Sequence, residues 1–332
     1  MKYFVTGATG FVGGAVARQL VQAGHSVVAL ARAPEKAHDL AQLGIAVAAG
    51  DVTDRQSLRA PMTGVDGVFH IAGWYKIGVR DTSPGQAINV EGTRNVLTVM
   101  KELGIAKGVY TSTLAVNGDT RGALVDESYR APAGPWLSEY DRTKWTAHYE
   151  IAKPMIRDGL PLVIVMPGVI YGPGDNGPLH EALMQYLIHK LPLTPKRTAF
   201  SWGYIDDVAH AHVLAMGKGK AGDEYIIAGP TRTFIDALAL AQRVTGIKAP
   251  RIHPGPAMMR AMAAMMGVVG AVVPLPASYT AESLRVSAGV TYIGDNAKAK
   301  RELGYDPRTL EAGLPQALMY AMRLLGMKPP QV

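Results

Sequence analysis

The chain of 332 residues contains no cysteine. That absence excludes disulfides, thiolate metal sites and thiol nucleophiles, and it fits a reducing compartment. No other spacing suggests a metal site. Long apolar runs are missing too. The most apolar stretch, Ala261 to Val273, stops at Pro274, short of the roughly 20 residues that span a bilayer. A buried or partner-facing helix is its ordinary reading, with contact to a membrane surface second. Runs of basic charge are also absent. Lys and Arg outnumber Asp and Glu by 34 to 27, a formal net charge of +7, yet they are scattered along the chain. No nucleic-acid surface is therefore expected. A mixed solvated surface explains most of the excess, and the remainder suits anionic small molecules. The opening residues, Met1 to Gly7, run straight into a strand without a signal-peptide layout, so a cytoplasmic location is expected.

What is present is globular: 48% of residues are apolar and 18% charged. Short apolar runs are expected as strands at Lys2 to Thr6, Ser26 to Ala31, Ile45 to Ala49, Gly67 to Ala72, Gly108 to Thr113 and Pro161 to Met166. Between them lie segments of helical spacing: Phe11 to Ala23, Pro34 to Leu43, Arg55 to Met62, Gln86 to Leu103 and Ser138 to Asp158. Several are closed by a glycine, such as Gly24, Gly44 and Gly104. Regular alternation with short links specifies a parallel sheet covered on both faces, a doubly wound Rossmann-type α/β domain over residues 1–167. After Pro167 the pattern loosens. Helices at Leu179 to His189, Phe234 to Gly246 and Pro256 to Val269 are separated by irregular segments. Residues 168–332 are read as mainly a smaller α/β substrate-binding domain, with some segments returning to the core. It would cover the carboxyl ends of the strands, where such sheets bind ligands.

Between the first strand and the first helix stands Thr6-Gly7-Ala8-Thr9-Gly10-Phe11-Val12-Gly13. Glycines at this spacing let the chain turn sharply and let a pyrophosphate approach the backbone at a helix N-terminus. Gly7, Thr9, Gly10, Phe11, Val12 and Gly13 are the expected phosphate-binding segment of a dinucleotide site. An ordinary glycine-rich turn is the bland alternative. The end of the second strand carries no carboxylate to bind a ribose 2′-hydroxyl. Arg32 stands there, with Lys36 four residues on. A guanidinium fork suits a 2′-phosphate, which favours NADP with NAD as the alternative; stacking on adenine is the lesser role for Arg32. Asp51 and Val52 follow the third strand, with Val52 expected to pack on the adenine ring. Asp51 is placed for an adenine amino group or, equally simply, for a turn. Ala72 and Gly73 end the fourth strand, where small residues let the chain pass beneath the cofactor.

Tyr140 and Lys144 are four residues apart, and on a helix they share a face. A free tyrosine is a poor base at neutral pH. A neighbouring ammonium lowers its pKa, and the phenol then exchanges a proton with a carbonyl oxygen. The lysine also serves to hold the nicotinamide ribose. By itself the pair reads equally as a surface contact. Here it follows a strand ending Tyr110-Thr111-Ser112-Thr113. A hydroxyl at that end would share the charge developing on the same oxygen; Thr113 is the first choice and Ser112 the second. Thr111 belongs with the cofactor residues.

Taken together, these segments resemble an extended short-chain dehydrogenase/reductase of the NAD-dependent epimerase/dehydratase superfamily. The resemblance also rests on His70-Ile71-Ala72, Asn89-Val90-Glu91-Gly92-Thr93, Pro167-Gly168-Val169-Ile170-Tyr171-Gly172-Pro173-Gly174 and Tyr204-Ile205-Asp206-Asp207-Val208-Ala209. It implies that Pro167, Gly168 and Val169 line the nicotinamide side and that Asn89 supports helix packing near the active site. It further implies a homodimer built on the helices Gln86–Leu103 and Ser138–Asp158. Two departures bear on the branch. Sugar-nucleotide enzymes usually carry arginines where Phe200 and Met166 stand, so a nucleotide diphosphate loses its grip here. Arg32 resembles the NADP-dependent dihydroflavonol-reductase-like branch, which reduces ketones and aldehydes. The expected function is reduction of a carbonyl to an alcohol, with Trp74, Tyr75 and Trp202 as apolar pocket walls. A nucleotide-sugar epimerase or dehydratase is the alternative. A non-catalytic NAD(P) sensor is a third, disfavoured by the Tyr/Lys pair.

Overall fold

A computed structural model describes residues 1–328. Seven strands form the main sheet: β1 (Lys2–Thr6), β2 (Ser26–Ala31), β3 (Ala46–Ala49), β4 (Gly67–His70), β5 (Gly108–Thr111), β6 (Leu162–Pro167) and a later strand at Glu224–Ile227. Four short strands lie outside it: β7 (Val169–Tyr171), β8 (Ala199–Tyr204), β10 (Thr231–Thr233) and β11 (Thr291–Tyr292), so the seventh strand of the main sheet is β9. The main sheet runs in the order β3-β2-β1-β4-β5-β6-β9. Every neighbouring pair in it is parallel. The order reverses between β1 and β4, and sheets of this kind bind ligands beyond the carboxyl ends of the strands at such a reversal. In the small sheet β8 is central, flanked by β10, β11 and β7.

Each face of the main sheet buries its own core. On one side β1, β2 and β5 contribute Val5, Ala29 and Val109 to a cluster with Leu20 of the helix Phe11–Gln22 and Val208 of the helix Ile205–Lys218. On the other, Phe4, Val68 and Ile164 pack with Leu58, Leu97 and Ile151 from the helices Arg55–Met62, 83–102 and 139–157. The inner strands are buried on both faces, which is why they read as unbroken apolar runs, whereas the edge strand β3 is partly exposed.

The two long helices, 83–102 and 139–157, are continuous, and each contains a π-helical stretch, Gln86–Gly92 and Ala147–Ala152. Most expected boundaries hold to within a few residues, and three shift for a visible reason. Pro34 to Leu43 divides into a 3-10 turn and a short helix, His38–Gln42. β4 ends at His70 because the Thr6 hydroxyl takes the N–H groups of Ile71 and Ala72. β5 ends at Thr111 because Thr113 caps a 3-10 turn over Leu114–Asn117. The helix Ile205–Lys218 and β9 were not assigned from the sequence; both return the chain to the main sheet.

Among the described residues no helix is long and apolar enough to cross a membrane.

Candidate active site

The glycine segment forms a cradle at the reversal point. Gly7 has φ +75°, and a Cβ on it would lie 2.7 Å from the Ala72 nitrogen. A Cβ on Gly13 would lie 2.1 Å from the Gly7 carbonyl oxygen, so the helix approaches β1 as only glycine permits. Gly10 caps the helix Phe11–Gln22 without any side-chain cap, and the first turn holds no carboxylate. Its free N–H groups and positive end suit a phosphate. Thr9 and Gly10 are exposed, while Phe11 and Val12 are half-buried. Phe11 stands across from Gly174 in van der Waals range of a Cβ there. Arg32 and Lys36 are exposed just beyond β2, and Arg32 has no ion-pair or hydrogen-bond partner among the described residues. These features fit a dinucleotide.

From this cradle a file of hydrogen bonds runs to the helix bearing Tyr140. The Thr6 hydroxyl accepts from Ile71 and Ala72 and lies 2.9 Å from His70 Nδ1. His70 Nε2 lies 3.0 Å from the Thr93 hydroxyl, which donates to the Asn89 carbonyl at 2.7 Å. The donors are thereby ordered: the Thr93 proton is committed, so His70 carries its proton on Nε2 and accepts from Thr6. Burial, with Lys144 nearby, pulls the imidazole down to about 3, so it stays neutral. The Asn89 side chain binds both main-chain groups of Trp74 and donates to the Thr143 hydroxyl at 2.9 Å. Thr143 in turn donates toward the Glu139 and Tyr140 carbonyls.

Ser138 caps the 139–157 helix by accepting from Asp141, and this places Tyr140 in its first turn. The Tyr140 ring lies 4.6 Å from that of Tyr75, which is 48% exposed. Burial raises the Tyr140 phenol above its usual range, and a hydrogen bond with Thr113 pulls the other way. Lys144 is buried. Its ammonium donates to the Thr111 carbonyl at 2.8 Å and to the Tyr110 hydroxyl at 3.3 Å, and burial pulls it down to about 7. The expected pull of Lys144 on the Tyr140 phenol is therefore not what sets it here: desolvation dominates, and the ammonium is turned to Tyr110 and Thr111.

Other expected residues engage neighbours of their own. Trp202 does not line a pocket. It is fully buried between Tyr171 and Phe200, with its indole N–H donated to the Arg232 carbonyl, because this position of β8 faces the core. The Ser112 hydroxyl is turned to His148 Nδ1 at 2.8 Å, and His148 Nε2 lies 3.2 Å from Glu224. The Thr111 hydroxyl is held by His212 at 2.9 Å, which leaves only its carbonyl toward Lys144. Val52 is buried against Gly92. Asp51 closes a turn on Thr53 through one carboxylate oxygen. A Cβ on Gly168 would lie 2.0 Å from the Ser201 carbonyl oxygen, so this glycine serves strand packing, with Pro167 ending β6 and Val169 opening β7 beside it. Trp74 is half-buried, and Ala72 and Gly73 follow β4 as expected.

The site also holds residues that sequence reasoning missed. Tyr292 donates to the buried Asp141 carboxylate at 3.0 Å and stacks on Phe200. Glu282 accepts from the N–H groups of Gly78 and Glu139 at 2.6 and 2.8 Å, tying a distant segment to the start of the 139–157 helix. Both reach across well over a hundred residues, and no local pattern announces them.

A family model described as the NAD dependent epimerase/dehydratase family matches residues 3–228. The chain belongs to that family. A protein from Synechocystis sp. with a provisional dihydroflavonol 4-reductase name is 33% identical over 95% of this chain and 93% of its own. A 4-hydroxy-2-methyl-3-oxo-4-farnesyl-3,4-dihydroquinoline-1-oxide ketoreductase from Stigmatella aurantiaca is 31% identical over 95% of both chains. Among solved structures, that of gox2253 superposes with a TM-score of 0.86 at 31% identity, covering 98% of this chain and 99% of the other. The chain is thus an NAD(P)-dependent oxidoreductase or epimerase of the extended short-chain type, and the reductase names among its relatives mark it as an enzyme.

Asp141 yields a pH test. Burial is the main cause that raises its carboxyl, to about 6 from 3.8. A raised carboxyl destabilises the fold when it ionises, so the cost is absent near pH 4 and complete above pH 6. Asp141→Asn keeps an acceptor for Tyr292 and removes the charge. Its melting temperature should match wild type near pH 4 and exceed it at pH 7.5, by at most about 3 kcal/mol of stability. Equal differences at both pH values would contradict the assignment.

Proposed function

We propose that the protein is an NADP-dependent reductase that converts a ketone or aldehyde to an alcohol, reversibly. The observation that carries the reading is the convergence of Tyr140, Thr113 and Lys144 beside the glycine cradle. Tyr140 gives its proton to the carbonyl oxygen as the alcohol forms. Thr113 holds its hydroxyl against Tyr140 and shares the charge developing on that oxygen. Lys144, held on Tyr110 and Thr111 one helical turn along, binds the nicotinamide ribose and brings positive charge to the site when protonated. The bound cofactor supplies the hydride. Arg32, with Lys36 beside it, takes the 2′-phosphate, and Asp51 keeps one carboxylate oxygen free for the adenine edge. Trp74 and Tyr75 line the substrate side, and residues 168–332 shape most of the rest of that wall. The relatives named for carbonyl reduction support this class of substrate.

A sugar-nucleotide epimerase is the weaker reading. Phe200 is stacked on Tyr292 and Met166 is buried in β6, so neither position offers a cation to a diphosphate. We also propose a homodimer through the 83–102 and 139–157 helices. Light scattering at twice the chain mass would support it, and a monomer would contradict it.

Removal of the Tyr140 hydroxyl is the sharpest mutational test. Tyr140→Phe should lower NADPH-dependent turnover by roughly 10²–10⁴ while leaving NADPH affinity within a few-fold. Lys144→Met should lose both and shift residual activity to higher pH. Near-normal turnover in Tyr140→Phe would contradict the mechanism.

Cofactor choice is tested separately. Arg32→Asp should weaken NADPH binding by about 1.5–3 kcal/mol, the worth of hydrogen bonds to a charged group, and change NADH binding less. Equal wild-type affinity for the two cofactors would overturn the preference.

A further inference from the structure

The helix Pro256–Val272 turns an apolar face to solvent. Met259 and Ala263 are its buried positions, packed with Leu284 and Ala288. On the other side Met258, Met265, Val268 and Val272 are 60%, 58%, 74% and 84% exposed. With Ala261 between them they fall on one stripe at helical spacing. Single exposed apolar side chains are ordinary, whereas a contiguous stripe over four turns marks a contact surface.

Charge says what that surface meets. Arg260 is the one charged residue of the helix, and no Asp or Glu occurs between Asp236 and Glu282. Arg251 and Arg260 are exposed. Backbone hydrogen bonds from Thr194 to Ile252 and from Lys196 to Pro254 bring the exposed Lys196 and Arg197 to the same end of the helix. The helix thus combines an apolar stripe with a cationic end and carries no carboxylate of its own. A second copy of this helix would offer those cations no carboxylate. An anionic lipid surface complements both features.

We propose that this helix docks the protein on anionic membranes, lying in the interface plane with its stripe among the upper acyl chains and its cations at the headgroups. The next helix, Ala281–Val286, carries Glu282, which holds the start of the 139–157 helix one residue before Tyr140. A docked molecule therefore presents the side that bears the candidate site. The docking does not depend on the reductase reading.

Flotation of the full chain with vesicles tests it. Vesicles of phosphatidylcholine with roughly a third phosphatidylglycerol should capture the wild type, and added salt should weaken capture. Pure phosphatidylcholine should capture little. Val268→Asp/Val272→Asp should abolish capture with an unchanged melting temperature, since both side chains are exposed; Val268→Ser/Val272→Ser is the milder pair should the first fail to fold. Arg251→Glu/Arg260→Glu should weaken capture tenfold or more. Wild type that stays unbound at every phosphatidylglycerol content, or apolar variants that float like wild type, would overturn the proposal. Equal capture by pure phosphatidylcholine would overturn the anionic assignment. Dimers dissociated by the apolar pair, without vesicle capture, would assign the face to a second copy instead.

Discussion

One neutral imidazole holds the two halves of the candidate site in register. His70 accepts from Thr6 and donates toward Thr93, and through Asn89 and Thr143 the same file of hydrogen bonds reaches the Tyr140 carbonyl. At its other end, Thr6 holds the chain that passes beneath the glycine cradle. The links from Thr6 through His70, Thr93 and Asn89 to Thr143 are buried, where a hydrogen bond has little slack. A charged His70 would break the file by needing a second acceptor, and burial keeps it uncharged. The cradle depends on steric room at Gly7 and Gly13 and the proton-transfer group on a helix start. The file of hydrogen bonds fixes their separation.

The pair at the centre is balanced by burial. Both Tyr140 and Lys144 are pushed toward their neutral forms, the phenol upward and the ammonium down to about 7. An amine that titrates near neutrality responds strongly to any new charge or hydrogen bond beside it. Negative charge arriving on the Tyr140 oxygen, or a ribose hydroxyl arriving at Lys144, shifts that balance.

The parallel sheet was legible because its inner strands are buried on both faces and punctuated by helices with glycine ends. β2 and the helix Arg55–Met62 fall at the boundaries that pattern predicts. Tyr140, Lys144 and the glycine trio were legible because their relation is local in sequence. What periodicity could not show was direction. Trp202 sits in a motif-bearing strand yet faces the core, and Ser112 stands next to Thr113 yet turns to His148. Nor could it show long-range closure: Glu282 on Gly78, Tyr292 on Asp141, and β9 beside β6 join residues that share no local signal.

Hydride transfer to a carbonyl with release of oxidised cofactor is followed with an isotope. The enzyme is given NADPH deuterated at the transferred position together with a panel of ketones and aldehydes, and products are read by mass spectrometry. One deuterium on the carbinol carbon is expected for each NADPH consumed. Unlabelled product, or isomerisation of a sugar nucleotide with no net NADPH consumption, would contradict it.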